Sequence, residues 1–522
     1  MPFRSPFSDV TLSPLSLPDH ILRGVDGVRN ELALVDIATN RAWNYGQFAQ
    51  AVRAVGAALA KRGISKGDRV SVLSPNCPEY VIASLGIMQA GGIVTTINPL
   101  YTETEMAHHF QDATPRMLVA TPALFDKARG VAEAAGTRQC VVFGKADGAE
   151  SFDVLMAERD TPPRVSFAVE DDVAAMLYSS GTTGMPKGVM LTHRNLTAAL
   201  EQIETLLGAE GSRSLCFLPL FHIFAFEAVA NFDLWKRGTV YTMPRFEFEP
   251  FLAAIERYRI QKVCLVPPIV LALVKSPLVE KYDLSSLELL FSGAAPLDAD
   301  LAAACERRIG CQVRQGYGLT ETSPPICSHP RVGEKVRHGS VGVLTRSTEA
   351  KLVDLETGEE AAPGQPGELW VRGPQIMKGY YNRPAETRDM LQPDGWLRTG
   401  DIAVVDEDNW ITIVDRAKEL IKYKGLQVAP AELEAVLLSH PGIADAAVIG
   451  VADEEAGEVP KAFVVRREAV SAGEVQAWVA ERVAPYKKIR HLEFVEAIPK
   501  SPSGKILRRV LRDLQRKTAG AD

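Results

Sequence analysis

The sequence predicts an α/β protein in two parts: a large N-terminal domain of layered α/β subdomains ending in a β-rich subdomain, followed by a small α+β C-terminal domain. Three observations predict it. Up to about residue 345, apolar strand-like runs alternate with Ala-rich helical periods; over residues 350–410 the texture turns to short strands between Gly/Pro/Asp clusters; and after Asp415-Arg416 a new helix–strand pattern begins, dividing the chain into residues 1–415 and 416–522. At 522 residues the chain also exceeds what one core usually organises.

The elements follow in order. Residues 69–73 and 93–97 are apolar strand-like runs, and residues 80–90 between them read as a helix. Residues 173–177 form another apolar strand, and 262–266 is a strand followed by a helix over 268–274. Strands separated by helices imply parallel pairing. In the β-rich stretch, strands are expected at 350–353, 367–372 and 410–414. Beyond residue 416 the pattern predicts a helix over 430–439, strands at 446–451 and 462–465, a helix opened by the capping box Ser471-Ala-Gly-Glu474, and a strand at 491–495. There is no internal repeat, which excludes a solenoid.

Composition narrows the function. Apolar residues at 46% and charged residues at 24% are ordinary globular values. A net charge of −7 argues against nucleic acid or an anionic membrane as the main partner. The one basic cluster, Arg508, Arg509, Arg512, Arg516 and Lys517, reads as the solvated face of a terminal helix. The seven cysteines show no CxxC pair and no metal-spaced histidines, so they are expected to be reduced, mostly structural thiols. No signal peptide is visible, no run is long enough to span a bilayer, and the C-terminus is not a peroxisomal address; a cytoplasmic protein is expected.

The most informative stretch is Tyr178-Ser179-Ser180-Gly181-Thr182-Thr183-Gly184-Met185-Pro186-Lys187-Gly188. Its glycines let backbone N–H groups turn inward, its hydroxyls add donors, a threonine can ligate magnesium, and Lys187 can offset phosphate charge. It is a candidate triphosphate cradle without the Walker spacing. The alternative is a plain surface turn, which so long a match after an apolar strand makes a poor account. Further along, Arg314-Gln315-Gly316-Tyr317-Gly318-Leu319-Thr320-Glu321 offers an aromatic to stack on a purine and a carboxylate for magnesium, although Gly-aromatic-Gly also occurs in ordinary turns. Asp401, after Thr399-Gly400, suits two ribose hydroxyls or a simple turn. Lys422 and Lys424 alternate with Ile421 and Tyr423, so a hairpin would point both lysines to one side. Lys505 lies on a Gly/Ser/Pro turn that is uninformative alone.

Together, in this order, these segments resemble the adenylate-forming superfamily of acyl- and aryl-CoA ligases, luciferases and nonribosomal adenylation domains. Pro219-Leu-Phe-His222, Ser292-Gly-Ala-Ala-Pro-Leu297 and residues 418–434 look most like the 4-coumarate–CoA ligase branch and its bacterial relatives. The resemblance implies ATP, Mg2+ and coenzyme A as cofactor and co-substrates, and a small carboxylic acid as partner, joined through an acyl-adenylate. It implies that Ser179, Ser180, Gly181, Thr182, Thr183, Gly184 and Lys187 hold the outer phosphates, with Thr183 and Glu321 on the metal. Gly293, Ala294, Gln315, Gly316 and Tyr317 would line the adenine site, Thr320 would meet the α-phosphate, and Asp401 and Arg416 the ribose. His222, Phe224, Gly316, Pro324 and Pro325 would line the acyl pocket, with His222 beside the carboxylate unless it is a satisfied core histidine. Lys505 would catalyse adenylation. A mobile C-terminal domain, hinged at about 415–418 and including Lys418, would then withdraw it and bring in Lys422, Lys424, Gly425 and Gln427 for thioester formation, with Arg245 near the coenzyme A nucleotide.

Two departures bear on the acid. Phe224 stands where phenolic-acid ligases usually carry Tyr, and Arg245 where Lys is common. A phenyl ring cannot meet a ring hydroxyl, so cinnamate-like or medium- to long-chain fatty acids stand beside 4-coumarate as expected substrates. Luciferase-like oxidation of the adenylate shares the same motifs. A carrier-loading domain would be expected to carry a fused carrier after Lys505, and a non-catalytic relative to have lost Lys505 or Glu321.

Overall fold

The computed structural model describes residues 2–179, 186–204, 206–330, 334, 336–362, 364–423, 426–453, 456–501 and 504–519; for residue 427 and residues 516–519 the backbone alone is described. Two large sheets carry the N-terminal part. In the eight-stranded one, Val173–Ser179, Ile93–Thr96, Arg69–Leu73, Met117–Ala120, Gln139–Val142 and Glu150–Ser151 are parallel neighbours. Lys187–Thr192 returns antiparallel beside Val173–Ser179, and Gly379–Tyr380 closes that edge. In the nine-stranded sheet, Gln312–Gly318, Leu289–Ser292, Lys262–Leu265, Arg213–Cys216, Thr239–Thr242 and Leu32–Asp36 run parallel, with antiparallel strands at both edges.

The helix Pro78–Gln89 is buried along nearly its whole length and packs against Tyr45–Lys61, whose apolar stripe contributes Phe48, Val52 and Val55 to the core shared by the two sheets. Burial on all sides fits the absence of a polar face along residues 80–88 of the expected helix. The expected parallel α/β layering is present, and its short connections place the ends of many strands along one rim.

The β-rich stretch forms an antiparallel sheet of Phe3–Arg4, Glu349–Val353, Gly367–Arg372, Leu397–Val405 and Ile411–Arg416. The N-terminal strand joins it over more than 340 residues of chain, a pairing that no local pattern announces. Beyond it, Ile421–Tyr423, Leu426–Val428, Ile443–Asp453, Gly457–Arg466 and His491–Phe494 make a separate C-terminal sheet. Alternation along Ile443–Asp453 serves two cores. Ala446 and Val448 face the helices Pro430–Leu438 and Ala472–Ala480, while Ala447 and Ile449 face Leu511 of the terminal helix Arg508–Ala519. The Ser471–Glu474 capping box forms as expected.

One expectation fails. Arg509 is solvated, but Arg508 is only 11% exposed: its guanidinium pairs with both carboxylate oxygens of Glu434 at 2.7 Å, with Glu419, and with the Val448 carbonyl at 3.2 Å. Two buried carboxylates on neighbouring elements draw the first residue of the helix inward, since leaving them unpaired would be costly. Arg516 and Lys517 have no described side chains. All seven cysteines are free and five are buried. Among the described residues no helix is long and apolar enough to cross a membrane.

Candidate active site

Residues following the carboxyl ends of the parallel strands converge on one cavity of about 490 Å³. Leu218, Pro219 and His222 follow Arg213–Cys216; Val266 follows Lys262–Leu265; Gly293 and Ala294 follow Leu289–Ser292; Thr320 and Glu321 follow Gln312–Gly318. The eight-stranded sheet adds Tyr178, Ser179 and Lys187, the antiparallel sheet adds Asp401 and Arg416, and the C-terminal domain reaches in with Lys505. Gly316, Tyr317, Phe224, Pro324, Pro325 and Lys418 also line it. Ala294 holds a left-handed φ of 68°, a conformation that costs a non-glycine residue about 1–2 kcal/mol.

At the polar end, the Tyr317 hydroxyl donates to the Asp401 carboxylate, and the Arg416 guanidinium lies 3.4 Å from the same group. Burial pushes the Asp401 carboxyl up, opposed by Arg416 and the Tyr317 hydroxyl. Burial and the neighbouring Arg416 guanidinium hold the Lys505 ammonium below its ordinary value, while Asp401 and Glu321 pull the other way. Gly504, at φ 78°, turns the chain so that Lys505 follows a tight loop, with the Ser501 N–H donating to the Lys505 carbonyl at 2.8 Å. The loop rests against the N-terminal domain, because a Cβ at Gly504 would lie 3.6 Å from Val266 and 3.7 Å from Pro268.

Glu321 is 8% exposed and accepts a 2.7 Å hydrogen bond from the Tyr380 hydroxyl. It makes no ion pair among the described residues. A buried carboxylate facing a cavity without a paired cation suits a divalent metal, although the described residues hold no cluster of three or more metal-ligating side chains.

At the apolar end, Ile203, Leu207, Leu218, Ile223, Phe224, Ala225, Ala228 and Phe291 form a carbon wall. Burial, with a smaller contribution from Lys505, lowers His222 to about 4, so its imidazole is neutral at pH 7. Its Nε2 has no hydrogen-bond partner among the described residues. It is therefore not a satisfied core histidine.

Some expected residues stand elsewhere. Gln315 is buried but does not line the cavity; its N–H donates to His329 Nδ1 at 3.3 Å. Lys422 is exposed on the 421–428 hairpin, and Arg245 is 83% exposed beside Glu247. Ser180, Gly181, Thr182, Thr183, Gly184, Lys424, Gly425 and the side chain of Gln427 lie outside the described residues. The sequence reading missed Tyr380, Arg398 and Glu368, which also line the cavity. Glu368 accepts from the Gly400 N–H at 3.2 Å and pairs with Arg398 at 3.1 Å, fixing the turn that presents Asp401. For Arg398 the usable signal was its place beside Thr399-Gly400-Asp401; Tyr380 had only a Gly-Tyr-Tyr run for a signal.

The AMP-binding enzyme family matches residues 23–381, and the AMP-binding enzyme C-terminal domain matches residues 432–505. The chain belongs to the AMP-binding enzyme family. It is 43% identical to 4-coumarate–CoA ligase-like 9 of Oryza sativa subsp. japonica, covering 98% of this chain and 95% of the relative. With 4-coumarate–CoA ligase 2 of Petroselinum crispum it shares 41% identity, covering 100% and 97%. Within the family it therefore falls among the acid–thiol ligases. Among solved structures, ATP-bound MatB from Rhodopseudomonas palustris superposes with a TM-score of 0.87 at 29% identity, covering 96% of this chain and 98% of that one. The apo structure of the same protein, over 96% and 99%, gives 0.77.

Proposed function

We propose that the protein joins a carboxylic acid to coenzyme A in two half-reactions. A carboxylate oxygen attacks the α-phosphorus of ATP, breaking its bond to pyrophosphate; the coenzyme A thiolate then attacks the acyl carbon, forming the thioester and releasing AMP. The observation that carries this reading is the convergence of Ser179, Lys187, His222, Gly293, Glu321, Asp401, Arg416 and Lys505 on one cavity from segments more than 300 residues apart.

Each group has a chemical task there. The Asp401 carboxylate would accept hydrogen bonds from ribose hydroxyls and the Arg416 guanidinium would donate to the ribose oxygens, and the Tyr317 ring would lie along the purine. Lys187 and Lys505 would offset phosphate charge, the main lever available for displacement at phosphorus. Glu321, with Thr183, would hold a magnesium ion, which when bound neutralises phosphate charge. Neutral His222 would donate a hydrogen bond to the acid's carboxylate without binding it as a full ion pair, leaving its oxygen nucleophilic. The better superposition on ATP-bound than on apo MatB, at equal coverage, supports an orientation of the C-terminal domain suited to adenylation, with Lys505 inward and Lys422 outward. A hinge at residues 415–418 would exchange them.

For the acid we infer an unhydroxylated aryl-propenoic acid such as cinnamate, with a medium-chain fatty acid as the second reading, because among the described residues the wall from Ile203 to Phe291 offers no hydrogen-bonding side chain beyond His222. Burying a ring hydroxyl there costs about 1–3 kcal/mol. AMP release with coenzyme A, measured across cinnamates, benzoates and C6 to C16 fatty acids, tests both points. ADP and phosphate as products would overturn the reaction class, and a clear preference for 4-coumarate over cinnamate would overturn the acid assignment.

A further inference from the structure

Lys187 opens the strand Lys187–Thr192 and Glu321 lies in the 3-10 turn Thr320–Thr322, 134 residues further along the chain, yet both meet one side chain. The Lys187 ammonium lies 4.9 Å from the centre of the Tyr380 ring, and the hydroxyl of that ring donates to Glu321 Oε1 at 2.7 Å.

The backbone around Tyr380 fixes the same geometry. The Met377 N–H donates to the Glu321 carbonyl at 2.9 Å, the Lys378 N–H to the Met190 carbonyl at 3.0 Å, and the Tyr381 N–H to the Gly188 carbonyl at 2.8 Å. Tyr380 pairs with Val189 in register, and its own N–H donates to the Thr387 hydroxyl at 2.9 Å. Residues 377–381 thus tie the strand that begins at Lys187 to the segment that presents Glu321. A carboxylate with one oxygen held by an outer donor keeps its remaining lone pairs in a fixed direction, the arrangement by which outer hydrogen bonds tune metal-binding groups. A lysine over an aromatic face is similarly held without being neutralised, which leaves its charge for a phosphate.

We propose that Tyr380 is a positioning residue that holds Glu321 and Lys187 as one clamp for a magnesium-bound polyphosphate. This rests on the ATP-dependent reading above. The test uses the full chain and measures ATP affinity by equilibrium titration, with and without Mg2+, alongside thermal stability. Tyr380→Phe keeps the ring under Lys187 and removes only the hydroxyl. It is expected to cut the gain in ATP affinity on adding Mg2+ by about tenfold, with metal-free ATP affinity and Tm little changed. In a Glu321→Gln background the same substitution should add nothing, because the hydrogen bond then has no carboxylate to orient. Tyr380→Leu, which removes the ring as well, should also weaken metal-free ATP binding; should that variant fail to fold, the phenylalanine variant still decides. An unchanged Mg2+ effect in Tyr380→Phe overturns the proposal, as does an equal loss of both affinities with a lowered Tm, the mark of a purely structural tyrosine. Failure of the unaltered protein to bind ATP under either condition would instead strike the ATP-dependent reading itself.

Discussion

Gly293→Ala probes the acyl wall through Phe224, from a position also expected to border the adenine site. The φ of Gly293 lies outside the left-handed region, so alanine meets no backbone strain. Its Cβ, however, would lie 3.0 Å from Phe224 Cζ and 3.1 Å from Cε1. Carbon atoms prefer separations of about 3.5–4.0 Å, so the ring must yield by about 0.5 Å. Phe224 borders the cavity of about 490 Å³, and the open direction is inward. The acid then loses the volume of a methyl group and the displaced ring edge. A one-methylene misfit in an apolar pocket is worth about 1–3 kcal/mol, so kcat/KM for cinnamate should fall at least about tenfold relative to butanoate, which leaves that space unfilled. Steady-state AMP release with both acids gives the ratio, and a melting curve checks the fold. A loss shared equally by both acids with a raised KM for ATP would refute the reasoning, because it would place the methyl against the nucleotide rather than against Phe224.

Two further outcomes follow from the same geometry. Lys505→Ala should lower acid-dependent ATP–pyrophosphate exchange by about 10² or more, while thioester formation from presynthesised acyl-adenylate is largely retained; equal loss of both activities would refute separate roles for the two domain orientations. Burial lowers His109 to about 3, its ring lying against Tyr178 and Phe110, so the unfolded chain binds a proton below pH 6.5 that the folded one refuses. Its contribution to stability is present above pH 6.5 and is lost as the pH falls toward 3; between pH 7.5 and 5 the protein should lose up to about 2 kcal/mol more than His109→Gln in urea unfolding, and parallel pH profiles would refute the assignment.

Much of the layered architecture was legible because strands such as Arg69–Leu73 are flanked by helices of different period, while Gly367–Arg372 in the β-rich stretch is bounded by Gly/Pro turn residues. What escaped was non-local. Nothing in Phe3–Arg4 points to Glu349–Val353, and the burial of Arg508 depends on Glu419 and Glu434, which come together only when the C-terminal sheet forms. The site shows the same division. Asp401, Glu321 and Lys505 stood in recognisable segments, whereas Tyr380 matters through two partners that the chain keeps far from it in sequence. Arg398 and Glu368 act on Asp401 through the turn between them, a relation fixed by antiparallel pairing of Gly367–Arg372 with Leu397–Val405.

The two lysine-bearing loops of the C-terminal domain bear on how one site could serve two reactions. Lys505 lines the cavity on a loop that packs near Val266 and Pro268, while Lys422 is exposed on a hairpin whose register pairs it with Gln427. Both loops belong to one sheet-centred body: Ile421 and Val428 share a core with Leu433 and Val464, and Ile506 and Leu511 pack on the other face of the same sheet. Arg508, three residues after Lys505, binds Glu419 and Glu434 and so ties the start of the terminal helix to that body. A rigid body cannot turn both faces to one cavity at once. If the hairpin is to reach the adenylate, the whole domain must rotate, and the connection available for that rotation is the short stretch between Asp415, whose carboxylate accepts from the Ala431 N–H at 2.9 Å, and Glu419. Such a rotation would make the two arrangements mutually exclusive and would keep coenzyme A from entering before pyrophosphate has left.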